Sequence, residues 1–368
     1  MPAKPPLPLG RAPRRRLAVR ALLGAALLLA LLAAGHALLW RWMGSQLQDG
    51  FAAWAAGRRA QGWQVDHALP LRGGWPLSAT LTLPQFRLAG GEATLPGGME
   101  WQAEALLLRV SLPVVDRLVV EMPGRHRLRL GTLDIPFAAD RLAAALPIAR
   151  DVLPREAALE GERLRFGIGP GGVEARRIRL NLETRITAIE GEAAVSLQGG
   201  AEGLLLPASP MLAALGRTVQ ALEFDAALTG PVPPGRSPAG RAEAWRDGGG
   251  TLALRALELR WGPVVANTAA TLTLDEALQP MGAGTLRLAG AVEALDAAAA
   301  AGLLTPRGAG TARTVIRLLS RAPADGGPPQ LEVPLTIEDR TLTLARIPLT
   351  RLEPWSWPVV PDPGLPIR

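Results

Sequence analysis

Twenty consecutive residues, Ala21 to Trp40 (ALLGAALLLALLAAGHALLW), carry no formal charge and constrain this chain more than any other feature. As an α-helix they cover about 30 Å, the hydrocarbon thickness of a bilayer. Arg14, Arg15, Arg16 and Arg20 crowd the N-terminal side, and Trp40 and Trp42 stand where an interfacial aromatic belt would lie on the other. The positive-inside rule then predicts a cytoplasmic N-terminus, an inner-membrane anchor and a periplasmic remainder. A cleaved signal peptide is the competing reading, with Gly35 and Ala37 as small residues near its end. The apolar run exceeds the usual ~7 to 15 residue signal core, which favours an uncleaved anchor.

The pattern changes after the anchor. Gln46 to Gln61 places Leu47, Phe51, Trp54 and Ala55 on one helical face and Arg58 and Arg59 near the end, so the anchor helix is expected to continue to Gly62. Beyond Trp63 the apolar residues recur with period two, in LSATLTL (Leu77 to Leu83), HRLRLGTLDI (His126 to Ile135), RRIRLNLETRI (Arg176 to Ile186) and GTLALRALELRWGP (Gly250 to Pro263). Alternation punctuated by Gly and Pro predicts half-buried antiparallel strands. The clearest hairpin is Leu331 to Ile347, turning at Glu338 to Arg340. Helical patterns are read at Asp140–Ile148, Pro210–Gln220, Ala291–Leu304 and Gly310–Arg321. The last two make a hairpin broken at Thr305-Pro306 and packed through Leu295, Leu303, Val315, Ile316, Leu318 and Leu319.

The fold class that follows is α+β and β-rich: a transmembrane helix, then large antiparallel sheets curled around or covered by a few helices. The expected layout is a basic, Pro-rich segment over 1–20, the anchor over 21–42, its helical extension over 43–62, a first β-rich half over 63–203, a second half with the helical hairpin over 204–352, and a Pro/Trp-rich tail over 353–368.

Charge and composition exclude more than they assign. Of the net charge of +7, six units fall within the first twenty residues, and the remaining 348 residues are nearly balanced. That leaves no basic footprint for phosphate backbones, so no nucleic-acid partner is expected. The absence of cysteine removes disulfides, thiolate metal sites and thiol nucleophiles. His36, His67 and His126 are isolated, with no second ligand at metal spacing. No Gly-x-Ser-x-Gly elbow occurs. The glycines of GIGPGG (Gly167 to Gly172) lack the Lys-Ser/Thr end of a phosphate loop and read as a hairpin turn. No catalytic residue, metal or cofactor is assigned, and the protein is read as a non-enzyme. Trp63, Trp75, Trp101 and Trp261 lie near strand ends and are the candidates for an apolar-ligand or interface surface.

Several stretches also carry a resemblance. FAAWAAGRRAQGWQV (Phe51 to Val65) keeps Trp54, Arg58, Gly62 and Trp63; LRALELRWGP (Leu254 to Pro263) ends in Trp-Gly-Pro; LTLDEALQPMGAGTLRLAG (Leu272 to Gly290) and the final strands ending in Ile347-Pro348-Leu349 follow. With these the chain resembles the bacterial family known as domain of unknown function 2125, over nearly its whole length. The likeness finds no landmark between the early strands and Leu204. It implies an anchored envelope protein and transfers no catalytic residue. The expectation is a membrane-anchored protein that binds or guides a lipid or other apolar envelope ligand along a curled sheet. The alternative is an envelope assembly scaffold whose sheet edges or Pro354–Pro358 tail dock other envelope proteins; an envelope hydrolase is the third and least favoured reading.

Overall fold

The structure is a computed structural model that describes residues 13–91, 98–148, 155–167, 171–208, 212–233, 237–300, 306–322, 328–345 and 347–357; of residues 13–17, 213–214, 306–308 and 311 it describes the backbone alone. The expected segment 1–12, residues 301–305 of the expected helical hairpin, and the tail beyond Trp357 lie outside these residues.

Helix α1 (Pro13–Ala60) runs uninterrupted for 48 residues, about 72 Å. Over 18–35 it is exposed on every side, and this part of the helix is long and apolar enough to cross a membrane. Contact with the rest of the chain begins at His36, whose Nε2 donates to the Pro76 carbonyl at 2.7 Å. Trp40 Nε1 donates to the Ser78 carbonyl at 2.9 Å. The expected helical extension is therefore part of α1 itself. It ends where Gly62 takes a φ of 85° and the amides of Gly62 and Trp63 turn back to the carbonyls of Arg59 and Arg58. A left-handed residue after the last turn is what glycine allows without steric cost.

The strands begin with β1 (Gln64–Asp66) and β2 (Leu71–Gly73), which share one edge of β3 (Ser78–Gly90). On its other edge β3 pairs along its length with β4 (Met99–Ser111). Here the sheet divides. β5 (Arg117–Glu121) takes the end of β4 and β6 (Gly124–Leu130) its beginning. β7 (Leu133–Ala139) pairs with β6, β8 (Arg141–Pro147) with β5, and both rejoin on β9 (Glu156–Phe166).

From β9 the chain meanders, each strand antiparallel to the next. β10 (Val173–Thr184), β11 (Ala193–Leu205) and, after the short helix α2 (Leu212–Leu215), β12 (Thr218–Thr229) follow. Helix α3 (Pro238–Asp247), capped by Ser237, precedes β13 (Leu252–Trp261), β14 (Val264–Leu274) and β15 (Pro280–Ala289). Helices α4 (Ala291–Ala300) and α5 (Pro306–Leu319) then lead to β16 (Gln330–Glu338), β17 (Thr341–Leu344) and β18 (Ile347–Arg351). All eighteen strands belong to one sheet, and the β-rich α+β architecture read from the sequence holds.

Local expectations fare unevenly. The β16–β17 hairpin turns where expected, with Asp339 and Arg340 at φ 46° and 61°, the twin positive values of a tight two-residue turn. Asp140–Ile148 is not a helix: it contains β8, held by β5 and β9. Of the expected helix Pro210–Gln220, residues 210 and 211 lie outside the described residues; among the rest Leu212–Leu215 is helical, and β12 starts at Thr218. In α5, Ile316 packs against buried residues as expected, but Leu318 and Leu319 are exposed by 78% and 45%.

Candidate functional site

The meander sets its residues in cross-strand rows. One row runs Leu159, Leu180, Gly199, Phe224, Leu257, Thr268, Leu286 and Val333, each paired with the next. At about 4.8 Å per strand it measures about 34 Å. The row beside it runs Ile178, Ala201, Leu222, Leu259, Ala266, Leu288 and Leu331. On its other side lie Leu182, Leu197, Ala226, Leu254 and Ala270. Period-two alternation puts all of these on one face and the charges on the other.

The opposite face is laced with ion pairs. Arg179 and Arg177 meet Glu202 at 2.9 and 3.7 Å, and Arg255 meets Asp225 at 3.6 Å. A cavity of about 410 Å³ opens there, lined by Arg177, Arg179, Glu202, Glu223, Asp225 and Glu258. Its arginines are already paired with its acids, and it holds no nucleophile beside a base. Among the described residues, no group of three or more His, Cys, Asp or Glu is placed to hold a metal ion.

The apolar face is covered at both ends. At the first, Leu164 and Ala175 are buried together with Leu81, Leu83, Leu106, Leu108 and Leu142, with Ala55, Phe51 and Leu47 of α1 packed in. At the other, Leu215 of α2 and Ala297 of α4 close over Val264, Trp261 and Leu288. Ala291 and Ile316 close over Leu331, Val333 and Leu286. Between them Leu180, Leu182, Leu197, Phe224, Leu254 and Leu257 are only half-buried and belong to none of the buried clusters formed by the described residues. Space is shaped by glycine at the row's middle: a Cβ on Gly199 would come within 2.8 Å of the Phe224 ring and 2.9 Å of Leu180 Cδ1.

The four tryptophans singled out from the sequence do not converge on this zone. Trp63 lies over Gly90, where a Cβ would meet its ring at 2.8 Å. Trp75 stands 52% exposed beside α1, its ring 4.9 Å from His36 and 5.8 Å from Trp40. Trp101 joins an aromatic series, with Phe86 at 5.4 Å and His126 at 6.2 Å, continued by Phe137 at 4.8 Å from His126. Trp261 donates from Nε1 to the Gly216 carbonyl at 2.8 Å. Its neighbour Gly262, at φ 54°, leaves room for the Leu215 carbonyl oxygen, which would stand 2.5 Å from a Cβ. The Trp-Gly-Pro stretch thus fastens the α2 segment over the sheet. The open rows of β10–β13 were missed as a site, although the alternation that builds them was read.

One titratable group, His126, sits in the aromatic series, and a second, Glu100, lies in a charged cluster with Arg87 and Arg129. His126 is buried to 4% exposure; Nε2 donates to the Met122 carbonyl at 3.1 Å, and Nδ1 has no partner. Burial pushes its pKa below the ordinary histidine value. Glu100 is held below the usual carboxylate range by the Gln102 amide at 2.8 Å and the Arg87 guanidinium at 2.7 Å. Both arrangements stabilise one charge state.

No curated protein matches the chain. The model of a family of uncharacterised proteins conserved in bacteria, DUF2125, matches residues 40–353. Its first matched residue, Trp40, is one turn after α1 first touches the sheet, so the family unit comprises the packed part of the helix and essentially the whole sheet. The chain belongs to the DUF2125 family.

Proposed function

We propose that this protein is a non-enzymatic, inner-membrane-anchored periplasmic protein that accommodates the acyl chain of a lipid, or another apolar envelope ligand, on the open rows of β10–β13. The observation that supports this reading is the band of half-buried Leu180, Leu182, Leu197, Phe224, Leu254 and Leu257 between two covered ends. Contiguous apolar surface of this extent is costly to leave in water and marks a place where something apolar sits. The cavity on the charged face is lined by paired ions beside Ala201, Phe224 and Ala256, and those ions disfavour it for such a ligand. Carrying a photoreactive side chain at Leu257 in the full-length protein in cells is expected to yield lipid adducts. The same group at Gln198, on the charged face, is expected to yield none. Equal labelling at both positions, or none at Leu257, would sink the reading.

A scaffold role is the second reading, and β18 favours it. All five of its residues are exposed and it pairs only with β17 among the described strands, leaving an edge to which another strand could add. The tail is less available for that purpose: the Trp355 amide donates to Gln279 Oε1 at 2.7 Å and Trp357 Nε1 to the Leu278 carbonyl at 3.1 Å.

A further inference from the structure

We propose that the strand ends beside α1 form a second contact with the lipid bilayer, a collar made by the β2–β3 tip and the β4–β5 loop; this rests on the reading of Ala21–Trp40 as a membrane span. The exposed stretch of α1 ends at His36, which lies inside the uncharged run and about 6 Å before Trp40 along the helix axis. A group touching His36 therefore stands at the depth of the last apolar turn.

The group that does so is the β2–β3 tip. Pro76 accepts the His36 hydrogen bond, and the Trp75 ring packs edge-on against His36 and Trp40. Leu77, next in the chain, is 71% exposed. The β4–β5 loop is tied to the tip by the Leu112 amide, which donates to the Leu77 carbonyl at 2.9 Å. It carries Val114 and Val115, exposed by 55% and 49%. Gly73–Thr80 contains no charged residue, and the β4–β5 loop carries one, Asp116, at its far end beside β5.

The direction of the helix agrees. Trp40 bonds Ser78 at the start of β3, while Ala55 packs in the cluster of Val65, whose strand partner is Leu88 near the end of β3. α1 and β3 thus run the same way, and the end of β3 nearest the apolar run is the end that carries the tip. Exposed tryptophan with aliphatic side chains at the level of a helix's last apolar turn is the composition of an interfacial membrane contact. A bilayer is the occupant already adjoining that turn. A partner protein would have to displace it.

The chain has no cysteine, so single cysteines can report on depth. The full-length protein would carry Leu77→Cys, Val115→Cys, Leu28→Cys or Leu133→Cys, each labelled with a polarity-sensitive fluorophore. Each would be reconstituted in phosphatidylethanolamine/phosphatidylglycerol vesicles doped with shallow or deep spin-labelled lipid. Leu133 is the matched control: it is 51% exposed and opens β7 beside the β6–β7 turn, at the opposite end of the strands. The expected result is a blue shift and loss of emission with shallow quencher at 77 and 115, loss with deep quencher at 28, and neither at 133. Quenching at 28 but not at 77 and 115 overturns the collar and leaves the anchor standing. No quenching at 28 overturns the anchor reading and the collar with it. Quenching at 133 equal to that at 77 overturns the collar by showing a domain lying flat on the surface. Trp75→Cys and Val114→Cys substitute should either of the first pair fail to fold.

Discussion

The strands under α1 and the strands of the meander carry the same alternation but differ in what lies on top of it. In β3, Leu81 and Leu83 are wholly buried, because α1 lies across them and β9 and β10 contribute Leu164 and Ala175 to the same cluster. In β10 to β13, Leu180, Phe224 and Leu257 occupy equivalent inward positions and are only half-buried, and Leu252 reaches 38% exposure. The difference teaches that alternation fixes which face is apolar while the helices decide which part of that face becomes a core. A sheet of eighteen strands has more apolar face than its helices can cover.

The sharpest way to break this comparison is truncation. Leu83→Ala is expected to destabilise the protein by about 3 kcal/mol, whereas Leu257→Ala is expected to cost about 1 kcal/mol, because a side chain outside the buried clusters loses less transfer energy and leaves no closed cavity. Denaturant titration of both variants measures the ratio, and equal losses would mean that the meander is as well covered as the β3 region. Glycines sharpen it further. A Cβ on Gly161 would stand 2.5 Å from Leu164 and 2.9 Å from Ile178, in the covered cluster, while one on Gly199 would meet Phe224 and Leu180 nearly as closely in the open rows. Gly161→Ala is expected to cost about 2 kcal/mol and Gly199→Ala under about 1 kcal/mol, since side chains with free space can swing aside. Paired melting curves would show it.

The smallest expected effect concerns pH. The folded-state pKa of His126 lies below its ordinary value of 6.5, so the neutral ring's contribution to stability is complete above that value and is lost as pH falls through the lower, folded pKa. His126→Phe is expected to flatten the decline of the unfolding midpoint below about pH 6.5. A decline unchanged by the substitution would assign it to other groups.

Much of this architecture was legible before any coordinates. The alternation at Leu77–Leu83 and Gly250–Pro263, the turn at Glu338–Arg340 and the continuation of the apolar helix to Gly62 all rest on local chemistry. Asp140–Ile148 misled because its alanines fit a helix and a strand alike, and pairing with β5 and β9 outweighed a weak local preference. The open rows were legible only as strands. Leu83 and Leu257 sit in similar alternating runs, and nothing local says that one lies beneath a helix whose packed residues are 28 to 36 positions upstream of it while the other belongs to no buried cluster. Trp63, Trp75, Trp101 and Trp261 were grouped by residue type, but their strands carry them to different parts of the sheet.

The unbroken course of α1 has one further consequence. Residues 18–35 and the packed turns from His36 to Ala55 form a single uninterrupted helical rod, so no loop separates the sheet from the exposed turns. Each residue added to or removed from the rod before His36 would turn everything beyond it by about 100° and shift it by about 1.5 Å relative to the first turns. Whatever grips those first turns therefore sets the compass bearing of the open rows, as a mast sets the bearing of a sail lashed to it.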